Sequence, residues 1–143
     1  MKKLLLIILL FVSGCVTSYS NHNFIIDAKE TISQKPASEF PVQVIYPYDS
    51  YGIFYILNAP KSVELTLDKS GKAKLQIAEF YNPHIVIGST IFILDEKIFS
   101  NGGTPKKIPY IKDEKDYQRY RKTYNAYNLP FKQYPEVDIG LLK

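Results

Sequence analysis

Tryptophan is absent from this chain of 143 residues, cysteine and methionine occur once each, and histidine occurs twice. A single Cys rules out a disulfide framework within one chain, and Cys-based metal clusters go with it. No Gly-x-Ser-x-Gly elbow, His-x-x-x-His, His-Glu-x-x-His or Asp-rich calcium loop is present. Asn101-Gly102-Gly103 has no following helix at P-loop or dinucleotide spacing, so phosphate cradling has no support. That stretch is either an ordinary connection or a mobile binding element. No cofactor and no metal is therefore expected. Repeats of fixed period and low-complexity tracts are missing as well, which removes solenoids and coiled coils. What remains is 45% hydrophobic and 14% aromatic, with 12 Tyr. That is the composition of one globular domain rather than a disordered chain.

The amino terminus carries the most specific pattern. Lys2 and Lys3 precede an unbroken apolar run from Leu4 to Val12. Nine residues are too few to cross a bilayer, whose hydrocarbon core needs about 20 helical residues, but they fit the core of a signal peptide. Val12-Ser13-Gly14-Cys15 then follows, an aliphatic residue and two small ones before the Cys. This segment resembles the lipobox of bacterial lipoproteins. The resemblance covers about the first 16 residues and concerns processing, not fold. It implies cleavage before Cys15, a diacylglycerol on the Cys15 thiol and acylation of the new amino group. Two or three acyl chains, at about 0.8 kcal/mol per buried methylene, hold a protein firmly on a membrane. Val16 stands where an Asp favours inner-membrane retention in Gram-negative lipoproteins. The resemblance therefore implies an outer-membrane anchor facing the periplasm in such a host. The expected organisation is a signal peptide at 1–14, a lipidated Cys and polar tether at 15–23, and one domain at 24–143. Val16 to Asn23, fully extended, reach about 26–29 Å at most.

The domain reads as α+β: an antiparallel β meander of five to seven strands with one carboxy-terminal helix packed across it. Phe24-Ile25-Ile26, Val42 to Tyr46 and Tyr51 to Leu57 are strand candidates, the last two separated by a turn at Pro47–Ser50. Val63, Leu65 and Leu67 alternate with polar residues, as do Ala73, Leu75 and Ile77 beyond Lys69-Ser70-Gly71. That pattern predicts a hairpin with one buried face. His84 to Leu94 is a long apolar stretch in which Gly88 marks a bulge or a close backbone approach. A turn at Asp95-Glu96-Lys97 leads to a short strand at Ile98-Phe99. Asp113 caps a helix running to Asn128, with Pro130 limiting it. Leu129 to Lys143 is expected to lie extended over the body.

Two features of the domain suggest binding. At about 100° per residue, Tyr117, Tyr120, Tyr124 and Tyr127 fall in one arc of that helix, with Arg121 about 40° beyond its edge. Tyrosines suit sugar rings and protein interfaces, yet a helix without Leu, Ile or Val has nothing else to turn inward. Residues 104–122 hold seven basic side chains, Lys106 and Lys107 among them, against three acidic ones, a local +4. The whole chain is also +4, with 18 basic and 14 acidic residues. Such a patch meets anionic partners or is simply a solvated surface. His84, after Pro83, reads as a structural or rim residue. The leading expectation is a non-enzymatic, lipid-anchored envelope lipoprotein binding a protein or glycan, with no nucleic-acid partner. A lipid-anchored inhibitor or immunity protein against a lysozyme-like enzyme or toxin is the alternative. A hydrolase using separated carboxylates is the third reading.

Overall fold

Apolar and polar side chains alternate from Phe24 onward, and Asn21–Glu30 forms one ten-residue strand, β1, with Phe24, Ile26 and Ala28 turned inward. The computed structural model describes residues 19–46, 60–80, 82–108, 110–124 and 132–143, without the side chains of residues 123 and 124. β1 begins inside the segment read as tether: Asn21, His22 and Asn23 pair with Ala78, Ile77 and Gln76. The expected strand at Tyr51–Leu57 and the turn before it lie outside the described residues.

β1 is the middle strand of a three-stranded antiparallel sheet, flanked by β4 (Lys72–Ala78) and β8 (Val137–Leu142). Phe24 stands opposite Leu75, and Ile26 lies between Ala73 and Leu141. The second sheet runs β3 (Val63–Thr66), β2 (Pro41–Ile45), β5 (His84–Ile87), β6 (Thr90–Ile93) and β7 (Lys106–Lys107), again antiparallel throughout. Val42, Val44, Ile85, Ile87 and Phe92 share one core with the inward residues of the first sheet. Fully burying each such side chain contributes about 1.5–3 kcal/mol. Ile45, Val86 and Ile91 take the alternate positions and form a second cluster with Ile111, Ile108, Tyr117 and Tyr120. The five-stranded sheet is thus apolar on both faces, which is why its strands read as nearly continuous apolar runs.

The fold is mixed α+β with two sheets rather than one meander. The hairpin expected at 63–77 does not form. Its turn is present, but β3 joins the five-stranded sheet and β4 the three-stranded one. Asp68 holds the crossing point: its carboxylate accepts from Ser70 N (2.8 Å), Ser70 Oγ (2.6 Å) and Lys72 N (3.0 Å). The Ser70 hydroxyl bond, with the Lys72 amide behind it, keeps the Asp68 carboxyl below its ordinary pKa. Gly71 has φ +77°, and a Cβ there would sit 2.4 Å from the Ala28 carbonyl oxygen. Only glycine allows β1 to approach so closely.

Gly88 and Ser89 are a two-residue hairpin loop between β5 and β6, with positive φ at Gly88 and not at Ser89. The close approach expected at Gly88 is real, because a Cβ would meet Tyr134 Cβ at 2.6 Å. Ile98-Phe99 is not a strand. It belongs to helix α1 (Glu96–Asn101), which Asp95 caps by accepting from Lys97 N and Ile98 N. The second helix, α2 (Glu114–Tyr124), starts where expected, with Asp116 N donating to Asp113 Oδ1 at 2.8 Å. The last element is β8, within the segment expected only to lie over the body. The described residues therefore hold two helices, and the chain ends on a strand.

Candidate functional site

The Tyr-rich helix and its basic surroundings were the first candidate, and the structure separates their members. Tyr120 is 7% exposed and packs on the outer face of the five-stranded sheet, with Tyr117 half-buried beside it. Tyr120 stacks on His84, with centroids 6.1 Å apart and an interplanar angle of 28°, and its hydroxyl lies 3.3 Å from His84 Nδ1. His84 is itself buried, so it is a core residue rather than a rim one. Burial drives its pKa down to about 4, leaving a neutral imidazole at physiological pH. At Tyr120 the arc is the inward stripe of the helix. Tyr127 lies outside the described residues, as do Cys15 and the Tyr124 side chain.

The basic set changes in the same direction. Lys107 is not a free cation: its Nζ donates to Asp138 Oδ1 (2.5 Å), Glu136 Oε1 (3.3 Å) and Thr31 Oγ1 (3.5 Å). Burial opposes its charge, but the Asp138 and Glu136 bonds outweigh that effect and raise the Lys107 pKa. Lys107 thereby ties β7, the edge of one sheet, to β8, the edge of the other. Lys106 is exposed. Arg121 donates to Gln118 Oε1 at 2.8 Å, while its Nε is buried without a hydrogen-bond partner among the described residues. Arg119 reaches Asp116 at 3.4 Å. Within the local +4, the Lys107 charge is thus met by acidic partners inside the fold, while Lys106, Lys112, Lys115, Arg119 and Lys122 stay exposed.

Two surfaces went unnoticed in the sequence. One is a shallow cavity of about 400 Å³ on the three-stranded sheet, lined chiefly by Asn23, Ile25, Lys74, Gln76 and Lys143. The other is the turn after β1, where Ile32 is 96% exposed. A lone aliphatic side chain in the polar run Thr31–Lys35, just before Pro36, is the signal that could have marked it. Among the described residues, no three His, Cys, Asp or Glu side chains converge as metal ligands do. No helix among them is long and apolar enough to cross a membrane. No family model, no curated protein and no solved structure matches the chain.

Proposed function

We propose that this chain is a lipid-anchored envelope lipoprotein that works without catalysis, by binding a protein or glycan partner at a membrane surface. The observation that carries the reading is Val12-Ser13-Gly14-Cys15 behind a basic pair and a nine-residue apolar run. Its expected setting is the periplasmic face of an outer membrane in a Gram-negative host. The start of the fold supports a short leash. Tyr19 packs edge-on against Phe80 at 5.9 Å, and Glu79 N donates to Ser20 O at 2.7 Å. Three residues, Val16 to Ser18, therefore lie between the lipidated Cys and the folded body, and the four backbone steps from Cys15 to Tyr19 reach about 13–14 Å at most. That is half the tether read from the sequence. In this reading α2 is the one substantial helix laid across the five-stranded sheet, and its inward tyrosines serve stability before recognition.

The inhibitor or immunity role is the second reading, favoured by the turn that projects Ile32 from a rigid body. The test of the main reading is fractionation of cells expressing the full chain and its Cys15→Ala variant, fed a radiolabelled palmitate. The wild-type chain should be labelled and sediment with membranes, whereas the variant should carry no label. Equal labelling or equal sedimentation of the two would overturn the anchor.

A further inference from the structure

We propose that the shallow cavity on the outer face of the three-stranded sheet holds the headgroup of an anionic phospholipid. Lys74 and Lys143 meet its phosphate, and Asn23 and Gln76 meet its glycerol hydroxyls. The inference rests on the anchor proposed above for its membrane setting, and adds a second, non-covalent contact with the same bilayer.

Strand register builds the face. Ile25 stands opposite Lys74 on β4 and Leu142 on β8, so a lysine, an isoleucine and a leucine form one row across the sheet. Asn23 stands opposite Gln76 in the row beside it. Side chains alternate between faces, and the intervening Phe24 and Leu75 are buried in the core. The outer aliphatic pair stays in water, Ile25 at 38% and Leu142 at 56% exposure. A cavity of about 400 Å³ opens beside this pair, with Asn23, Lys74, Gln76 and Lys143 around it. All four of those polar side chains are exposed, and none makes a side-chain hydrogen bond or ion pair among the described residues.

The chemistry of these groups specifies the ligand. Two ammonium groups and no carboxylate side chain line the cavity. The wider face, with its Lys107 edge, carries Lys29, Lys72, Lys74, Lys107 and Lys143 against Asp27, Glu136 and Asp138. Five cations against three ionised carboxylates leave two positive charges in surplus, and a free carboxylate on Lys143 would reduce that to one without changing its sign. Ammonium groups bind phosphate as compact charges, while carboxamides both donate to and accept from hydroxyls. The adjoining Ile25 and Leu142 suit the glycerol backbone and first methylenes of a lipid, which a soluble anion lacks. Position agrees. Asn23 lies four residues beyond Tyr19, at most about 14 Å, and the cavity is in the half of β1 nearer the point where the acylated chain enters.

The native chain has no tryptophan, so one introduced indole reports alone. The experiment uses the full chain from host membranes, carrying Leu142→Trp or, as a control beyond the far end of β1, Ile32→Trp. Each is reconstituted into phosphatidylcholine vesicles with or without phosphatidylglycerol. With phosphatidylglycerol, Leu142→Trp should emit at shorter wavelength and be quenched about fivefold more by lipids brominated near the headgroup. Ile32→Trp should show no such difference. Adding Lys74→Glu and Lys143→Glu, at an unchanged thermal midpoint, should abolish the difference, and Gln76→Ala should weaken it. Equal quenching in the two vesicles, equal quenching at the two positions, or a difference that survives the double charge reversal would overturn the proposal. So would a blue shift given by soluble glycerol phosphate or an acidic glycan but not by vesicles. Flotation separates the two claims. A chain that floats with phosphatidylcholine alone but shows no phosphatidylglycerol effect condemns the headgroup site alone. One that floats only with phosphatidylglycerol, and loses this on charge reversal, condemns the anchor alone.

Discussion

His84 and Tyr120 meet between the helix and the sheet, with Nδ1 3.3 Å from the phenol oxygen and the rings 28° from parallel. This pair decides what the Tyr arc does at its centre. A phenol stacked on a buried imidazole is a packing element whose hydroxyl has a polar neighbour inside the protein.

Truncating Tyr120 should therefore cost stability before it costs recognition. Tyr120→Phe keeps the ring and loses one hydroxyl contact, for an expected loss of about 0.5–1.5 kcal/mol. Tyr120→Ala should cost about 3–5 kcal/mol, as for other large buried aromatic side chains. Urea unfolding of the two variants measures both, and a near-neutral Tyr120→Ala would contradict the packing.

The same pair sets an acid limb. The His84 pKa is about 4 in the folded chain and about 6.5 when unfolded. Between those values the unfolded chain takes up a proton that the folded chain refuses. The contribution is present above pH 6.5 and is lost as pH falls toward 4, by about 3 kcal/mol in full. His84→Gln should flatten the pH dependence of the urea midpoint in this window. An unchanged slope would show that His84 is not its source.

Much of the burial pattern was legible in the sequence, and the strand pairing was not. Leu65, Leu75 and Ile77 alternate correctly, but a period of two says which face is buried and nothing about which strand lies alongside. The two arms separate because Asp68 and Gly71 hold a turn that hands the chain from one sheet to the other. Ile98-Phe99 looked like a strand because two apolar residues have no period, and the Asp95 cap decided for a helix. The Asp113 cap was read correctly because a cap is a local signal. Lys107 was counted as free charge, since its partners Glu136 and Asp138 lie about 30 residues away and only the fold brings them near.

Lys107→Met should break the tie between the two sheet edges. The groups are partly exposed, so the cost should be modest, about 1 kcal/mol or less. In a double-mutant cycle with Asp138→Asn, the coupling should shrink between low and high salt. The raised Lys107 pKa gives the linkage its sign. Its contribution is present below the unfolded lysine pKa and disappears as pH rises through the folded one. A coupling indistinguishable from zero at low salt would contradict the clip.

Gly71→Ala should be the most damaging single-methyl change at the crossing. Its φ of +77° disfavours any side chain, and the Ala28 carbonyl stands 2.4 Å from the new Cβ. The expected loss is at least about 2 kcal/mol. Thermal unfolding checks it, and an unshifted midpoint would mean that β1 and the turn are not in contact.

The proposed lipid anchor at Cys15 is read out by the intact mass of the protein taken from host membranes. The protein should begin at Cys15 and carry a diacylglycerol with a further acyl group. A chain that retains residues 1–14, or one that begins at an unmodified Cys15, would contradict it.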